Sequence, residues 1–205
     1  MRKIKMFVDM DKEEEYLNEM AKNGLLLEKY SSFGVYTFIK GDSIDLHYRV
    51  DYRGFKSKKE FEQYKILFED AGWEHVSGTA HSGSEYFIPK LTNVGLSDIF
   101  SDTESKAARY KRFLQPCMLG IACALMYLVV VLSTSGFQLS NLGYLTPGLW
   151  EKTGADFWKA FLFETPFAVL RFLPLIIFTV LTILYGYWAL KAYKLYKKHL
   201  KDNML

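Results

Sequence analysis

The side chains best suited to chemistry are thinly spread along this chain. Its four histidines, His47, His75, His81 and His199, stand far apart, and the nearest two, His75 and His81, have no cysteine beside them. That is not the paired close spacing that zinc requires. The run Glu13-Glu14-Glu15 places three carboxylates at the start of a helix, where negative charge suits the macrodipole better than it suits a metal. A cleft carboxylate such as Glu85, beside Tyr36 and Tyr48, could support hydrolysis of a small molecule. No G-x-S-x-G, H-E-x-x-H or Walker-type sequence accompanies it. The reading is therefore of a non-enzyme that needs no cofactor and no metal. Cys117 and Cys123 fall in an apolar stretch and read as small fillers of a helix rather than a disulfide.

The elements that would position these residues fall into two parts. Residues 1–104 carry 14 Lys and Arg against 19 Asp and Glu, a net of −5; residues 105–205 carry 12 against 4, a net of +8. In the front part, Lys3–Val8 alternates as a strand. Asp11 with Glu14 reads as a capping box, Tyr16, Leu17, Met20 and Ala21 give the helix an apolar face, and Asn23-Gly24 ends it. Strands follow at Leu25–Tyr30 and Val35–Lys40, joined by a turn at 31–34. The order then recurs: a strand at Leu46–Tyr52, a capping box at Ser57 and Glu60, a helix faced by Phe61, Tyr64, Leu67, Phe68 and Ala71, and a stop at Ala71-Gly72. Strands at Trp73–Gly78 and Glu85–Pro89 complete it. The pattern predicts an α+β fold: a duplicated β-α-β-β domain over 1–92, with both helices on one side of an antiparallel sheet. Tyr36 aligns with Tyr86 in that duplication. The opposite, aromatic-rich face is then either core or a ligand cleft, and Tyr36, Phe38, Tyr48, Trp73, Glu85 and Tyr86 are its candidate ligand-binding residues.

In the back part, 116–134 and 172–190 are uncharged runs. At 1.5 Å per residue each reaches about 28 Å, close to the hydrocarbon thickness of a bilayer. Two transmembrane helices are expected, at 116–134 and 167–190, with Pro174 in the first turns of the second. A linker helix over 93–115 leads in, a loop over 135–166 joins them, and a basic tail occupies 191–205. Flanking charge places both termini in the cytoplasm, since the loop holds only Lys152 and Lys159 against Glu151, Asp156 and Glu164. No cleavable signal peptide is expected, because acidic residues interrupt the first 15 positions. Lys106, Arg109, Lys111, Arg112, Lys191 and Lys194 are assigned to the lipid surface, with Trp150, Trp158 and Trp188 as aromatic anchors and Arg171 snorkelling to the interface. Residues 149–163 read as a short helix lying on the outer leaflet. Direct nucleic-acid binding is not expected of an acidic front domain.

Taken together, Asn23-Gly24, Ala71-Gly72-Trp73, Tyr86-Phe87 and the linker Ser101-Asp102-Thr103-Glu104-Ser105-Lys106 resemble the bacterial domain of unknown function family 2812. The resemblance covers about 1–112. Leu25 stands where a tryptophan is common in such proteins. The resemblance implies a Gram-positive source and a gene neighbourhood shared with a PadR-type transcriptional regulator, but no activity. The front domain is more loosely similar to the gyrase-inhibitor-like fold, whose members often bind amphiphilic small molecules. The resulting expectation is a membrane-anchored regulatory or sensor protein that binds a PadR-type regulator or an amphiphile. An accessory or immunity-type protein working with a transporter, through its aromatic outer loop, is the alternative. A homo-oligomer is left open.

Overall fold

The computed structural model describes residues 1–31, 34–90, 98–134 and 144–201. Parts of the expected turn (32–33), linker (93–97), outer loop (135–143) and tail (202–205) lie outside the described residues.

The first repeat runs β1 (Arg2–Ile4), α1 (Met10–Lys22), β2 (Leu25–Ser31) and β3 (Val35–Lys40), and its sheet has the order β1-β3-β2. α1 begins earlier than the Asp11–Glu14 box suggests. Asp9 is the N-cap, in extended backbone, and its carboxylate accepts from Lys12 N. Gly24 stops the helix in the left-handed region at φ +70°, where a Cβ would stand 2.8 Å from the Gly41 carbonyl. The alternation through Phe7 and Val8 does not extend β1, because these residues lead into the Asp9 cap, Val8 itself buried.

The second repeat runs β4 (Arg49–Arg53), α2 (Lys58–Asp70), β5 (Trp73–Ser77) and β6 (Gly83–Pro89), with the same order, β4-β6-β5. The helices start 48 residues apart, at Met10 and Lys58, and both span 13 residues. The strand after each helix, β2 or β5, breaks register at the same point, between Leu27 and Lys29 and between His75 and Ser77. The duplication is thus visible in strand order, helix length and bulge position. Its alignment differs from the expected one at the last strand. Leu27 faces Phe38 and His75 faces Phe87, so Tyr36 corresponds to Glu85, not to Tyr86.

The helices do not share one side. Neighbours in a strand point to opposite faces. Tyr86 and Val50 join the cluster of Leu17, Met20, Tyr36 and Phe38 around α1. Phe87 and Trp73 join Phe55, Phe61 and Tyr64 around α2. The second sheet is therefore covered on both faces. The first sheet is covered by α1 on one face only. Its other face carries Arg2, Thr37 and Lys29 side by side in register.

α3 (Thr103–Thr134) and α4 (Gly154–Lys201) are each continuous. α3 runs through Pro116, and α4 runs through Pro166 and through Pro174, which lies well inside it rather than in its first turns. No separate outer-leaflet helix forms: Leu149–Glu151 is a single 3-10 turn, and 154–163 is the start of α4. At 32 and 48 residues the two helices are about 48 and 72 Å long, so both exceed a bilayer's hydrocarbon core. Only 11% and 6% of their most apolar windows are buried, unlike the core helix of a soluble protein.

The chain divides into two compact units, Met1–Gln115 with Trp188–Leu205, and Pro116–Tyr187. Within the second, α3 and α4 pack antiparallel. Tyr127 stacks on Phe178 at 4.0 Å, and a Cβ on Gly120 would touch the Tyr185 ring at 3.0 Å.

Candidate functional site

The most unusual chemistry in the first unit is a buried network of carboxylates, tyrosines and arginine around the first turns of α1. Met10, Glu13, Glu14, Leu17, Met20 and Ala21 are all buried, at the spacing of a helix face aimed inward. The glutamates are thus part of the core stripe and not a solvated first turn. Glu13 Oε1 accepts from the hydroxyls of Tyr36 and Tyr86, each at 2.6 Å, so one carboxylate joins a strand from each repeat. Burial pushes its carboxyl up to about 7, against the opposing pull of the two hydroxyls.

Glu14 Oε1 binds Nη1 of Arg109 at 2.6 Å, and Arg109 also reaches Asp11 Oδ1 at 2.5 Å and the Val50 carbonyl at 2.7 Å. Its side chain is fully buried and its Nε has no hydrogen-bond partner among the described residues. Burial alone would loosen its proton, but Glu14, Tyr110 and Asp11 outweigh that and hold the guanidinium charged. Asp11 is in turn held below the usual carboxylate range: burial opposes this, but Arg109, Lys106 and His199 prevail. His199, near the end of α4, places Nε2 2.9 Å from Asp11 Oδ2 and stacks on Tyr110. Leu195 and Tyr196 pack beside it against the same core.

The arrangement has a backbone logic. β4 is an edge strand, and its outward groups need partners. Tyr48 N donates to Asn18, and Val50 N to Glu14. The Val50 and Tyr52 carbonyls accept from Arg109 and Arg112, and Arg112 also pairs with Asp51. α1 and the basic end of α3 thus seal β4.

The six residues expected in a ligand cleft are packed inside the unit, and those expected at the lipid surface divide between buried, paired and exposed positions. Tyr36, Phe38, Tyr48, Trp73, Glu85 and Tyr86 are all at most 2% exposed, so they form core rather than cleft wall. Tyr36 and Tyr86 meet on Glu13; Tyr48 Oη accepts from Leu27 N; Trp73 sits in the second cluster. Glu85 accepts from Ser82 and contacts His75 Nε2 at 2.7 Å, with its carboxyl raised by burial against both bonds. Arg109 lies inside the domain because three acceptors draw it there. Lys106 pairs with Asp98 at 2.8 Å and Arg112 with Asp51, leaving Lys111 as the exposed member of that run. Lys194, Trp150 and Trp158 are exposed, and Lys191 and Trp188 half-buried. Arg171 pairs with Glu164, which also binds the backbone of Leu145 and Thr146. Among the described residues no group of three or more His, Cys, Asp or Glu could hold a metal ion.

A family model described as protein of unknown function, DUF2812, matches residues 9–122, more than half of the chain. The chain belongs to the DUF2812 family. The matched stretch begins at the Asp9 cap and contains every acceptor of Arg109, so the sealed edge lies wholly within the DUF2812 region. No curated protein and no solved structure matches the chain.

Proposed function

We propose that this DUF2812 chain is a non-catalytic, membrane-attached regulatory protein whose α+β unit holds a protein partner at the inner face of the membrane. α3 and α4 serve as a two-span anchor. The observation that carries the reading is the Arg109 cluster. It welds the basic end of α3, and with His199 the end of α4, onto α1 and β4 within one compact unit. A tether would need no such joint, whereas a device that passes a change between the anchor and the domain would. The joint also supports a common side for both termini, and the basic residues around it favour the cytoplasm. The partner of choice is a PadR-type transcriptional regulator, sequestered at the membrane and released when the joint changes. An amphiphile seated among the aromatics gains no support, because those side chains are already packed against one another.

Affinity capture of the tagged full chain from its native membranes tests this. A PadR-type regulator recovered with it, and reduced in Arg109→Met, is the expected result. Absence of any regulator from the captured material overturns the proposal.

A second reading, of an accessory protein working with a transporter, draws on the loop before α4. There Tyr144, Trp150, Phe157 and Phe161 form an aromatic cluster, with Glu164 holding the backbone beside it. Exchange of residues 144–163 with residues 1–112 kept intact separates the two readings: lost function favours the accessory role.

A further inference from the structure

We propose that the groove along the seam between β2 and β5 binds a small phosphate-bearing molecule with a planar body. The groove encloses about 560 Å³, within the usual range of small-molecule sites. Its existence follows from the fold. The two sheets meet edge to edge at β2 and β5 without a regular ladder, and Tyr30 N donates to Ser77 Oγ at 2.9 Å in place of a backbone carbonyl. Both strands carry their bulge here, at Glu28 and Val76, where extra residues leave local pairing unfinished.

The floor is the uncovered face of the first sheet. Arg2 and Lys29 flank Thr37 in one cross-strand row. Neighbouring strands stand about 4.8 Å apart, so two long cationic side chains rise from positions about 10 Å apart, close enough to converge on one anion. Neither has an ion-pair partner among the described residues, so both exposed cations remain available to an anion. The opposite wall is α2 and β5. Lys65 adds a third cation, shared with Glu62 at 2.8 Å, and Glu28 is the one acidic residue of the lining. Phe61, in edge contact with His75, supplies an aromatic ring for a planar group; the Tyr30 ring is turned the other way and packs on Tyr36 and Tyr86.

His75 sits in that wall with Nε2 fixed to the fully buried Glu85, so the ring is held in place and Nδ1 is left for a ligand. Ser77 uses its oxygen to accept from Tyr30 N, so its hydroxyl proton is available to a phosphate oxygen. Beside it Gly78 must be glycine. Its φ is +139°, and a Cβ would fall 1.9 Å from Glu85 Oε2, so the chain passes bare over the His–Glu pair. This inference goes beyond the regulatory reading and does not depend on it, since binding is read on the chain alone.

The test uses the full chain in a maltoside detergent, with 15N-labelled histidine and the His75 ring signals assigned by His75→Asn. Inorganic phosphate and adenosine monophosphate are titrated separately. Saturable movement of the His75 signals is expected, with the nucleotide at least about tenfold tighter than phosphate and a midpoint below about 10 mM. Arg2→Ala and Lys29→Ala are each expected to weaken binding about tenfold, while Lys197→Ala in the basic tail leaves it unchanged. Both groove residues are exposed, so an unaltered melting temperature in these variants is expected and checks that they fold. No saturation in that range, or equal weakening by Lys197→Ala, overturns the site.

Discussion

Where α1 carries Glu13, the matching position of α2 is Phe61; where β3 carries Tyr36, the matching position of β6 is Glu85. One repeat therefore puts its acid on the helix and its hydroxyl on the strand, and encloses both. The other puts an aromatic ring on the helix and its acid on the strand, beside a histidine at the rim of a groove. The skeleton is the same to the residue over helix, cap and bulge. What separates the two is what lies next to each helix. α1 is packed between sheets and beside α3, so six of its side chains are buried; α2 has one sheet to cover and buries only Phe61 and Tyr64. A duplicated scaffold can thus devote one copy to an internal charged joint and leave the other open at its surface.

The sharpest way to break this contrast is at Arg109. Arg109→Met removes the cation from buried acceptors, and loss of one partner from a buried ion pair costs about 3–5 kcal/mol. A large fall in the melting temperature of the detergent-solubilised chain is expected. Lys111→Ala, one turn face away and exposed, is expected to stay within about 0.5 kcal/mol of the parent. Equal effects of the two substitutions would mean that the joint is an ordinary helix surface.

Glu13 comes next. Glu13→Ala strands two buried tyrosine hydroxyls and is expected to cost about 2–4 kcal/mol. Glu13→Gln keeps the acceptor oxygen and removes the charge. Because the folded carboxyl is raised from 4.5 to about 7, the folded state binds the proton more tightly than the unfolded one. Its contribution is full below about 4.5 and is lost as pH rises through about 7. Urea titrations at pH 5 and pH 8 are expected to show Glu13→Gln gaining on the parent at the higher pH. Asp11 works in the opposite direction, since its lowered carboxyl stabilises the fold above its ordinary range and stops doing so as pH falls through its depressed folded value. A parent-like pH profile in Glu13→Gln would place the titration elsewhere.

The smallest expected difference is between the two caps. Ser57 Oγ accepts from Glu60 N at 3.2 Å, and Glu60 returns a bond to Lys56 N at 3.1 Å. Ser57→Ala is expected to cost about 1 kcal/mol. The Asp9 bond to Lys12 N is longer, 3.4 Å, and α1 is fixed by its burial, so Asp9→Ala is expected to cost less through the cap alone. A larger loss at Asp9 than at Ser57 would shift the weight to its contact with Tyr110.

Much of this skeleton was legible in the residues. Asn23-Gly24 and Ala71-Gly72 mark helix ends because only glycine takes the left-handed position cheaply, and the Ser57–Glu60 spacing marks a start. Two uncharged runs mark the long helices. The joint was harder to read, because it depends on pairs such as Arg109 and Glu14 that lie 95 residues apart. A charge run beside an apolar helix reads as lipid-facing unless its partners are known. One signal was nevertheless present. Met10, Glu13, Glu14, Leu17, Met20 and Ala21 share one helical stripe, and acids interleaved with apolar residues at that spacing indicate acids that face inward. The groove was illegible for a different reason. Its cations sit on three elements, and only the strand register brings Arg2 and Lys29 into one row.

The sealing of β4 has a consequence for synthesis. Both repeats are complete in the chain by Pro89, yet the Val50 and Tyr52 carbonyls stay open until Arg109 and Arg112 have emerged. Those arginines immediately precede the apolar stretch that begins at Pro116. During translation the domain therefore remains unfinished, with two carbonyls of the β4 edge unpaired, until the ribosome delivers the start of the first long apolar helix. Closure of the α+β unit is in this way tied to synthesis of the first long apolar helix rather than to completion of the two repeats.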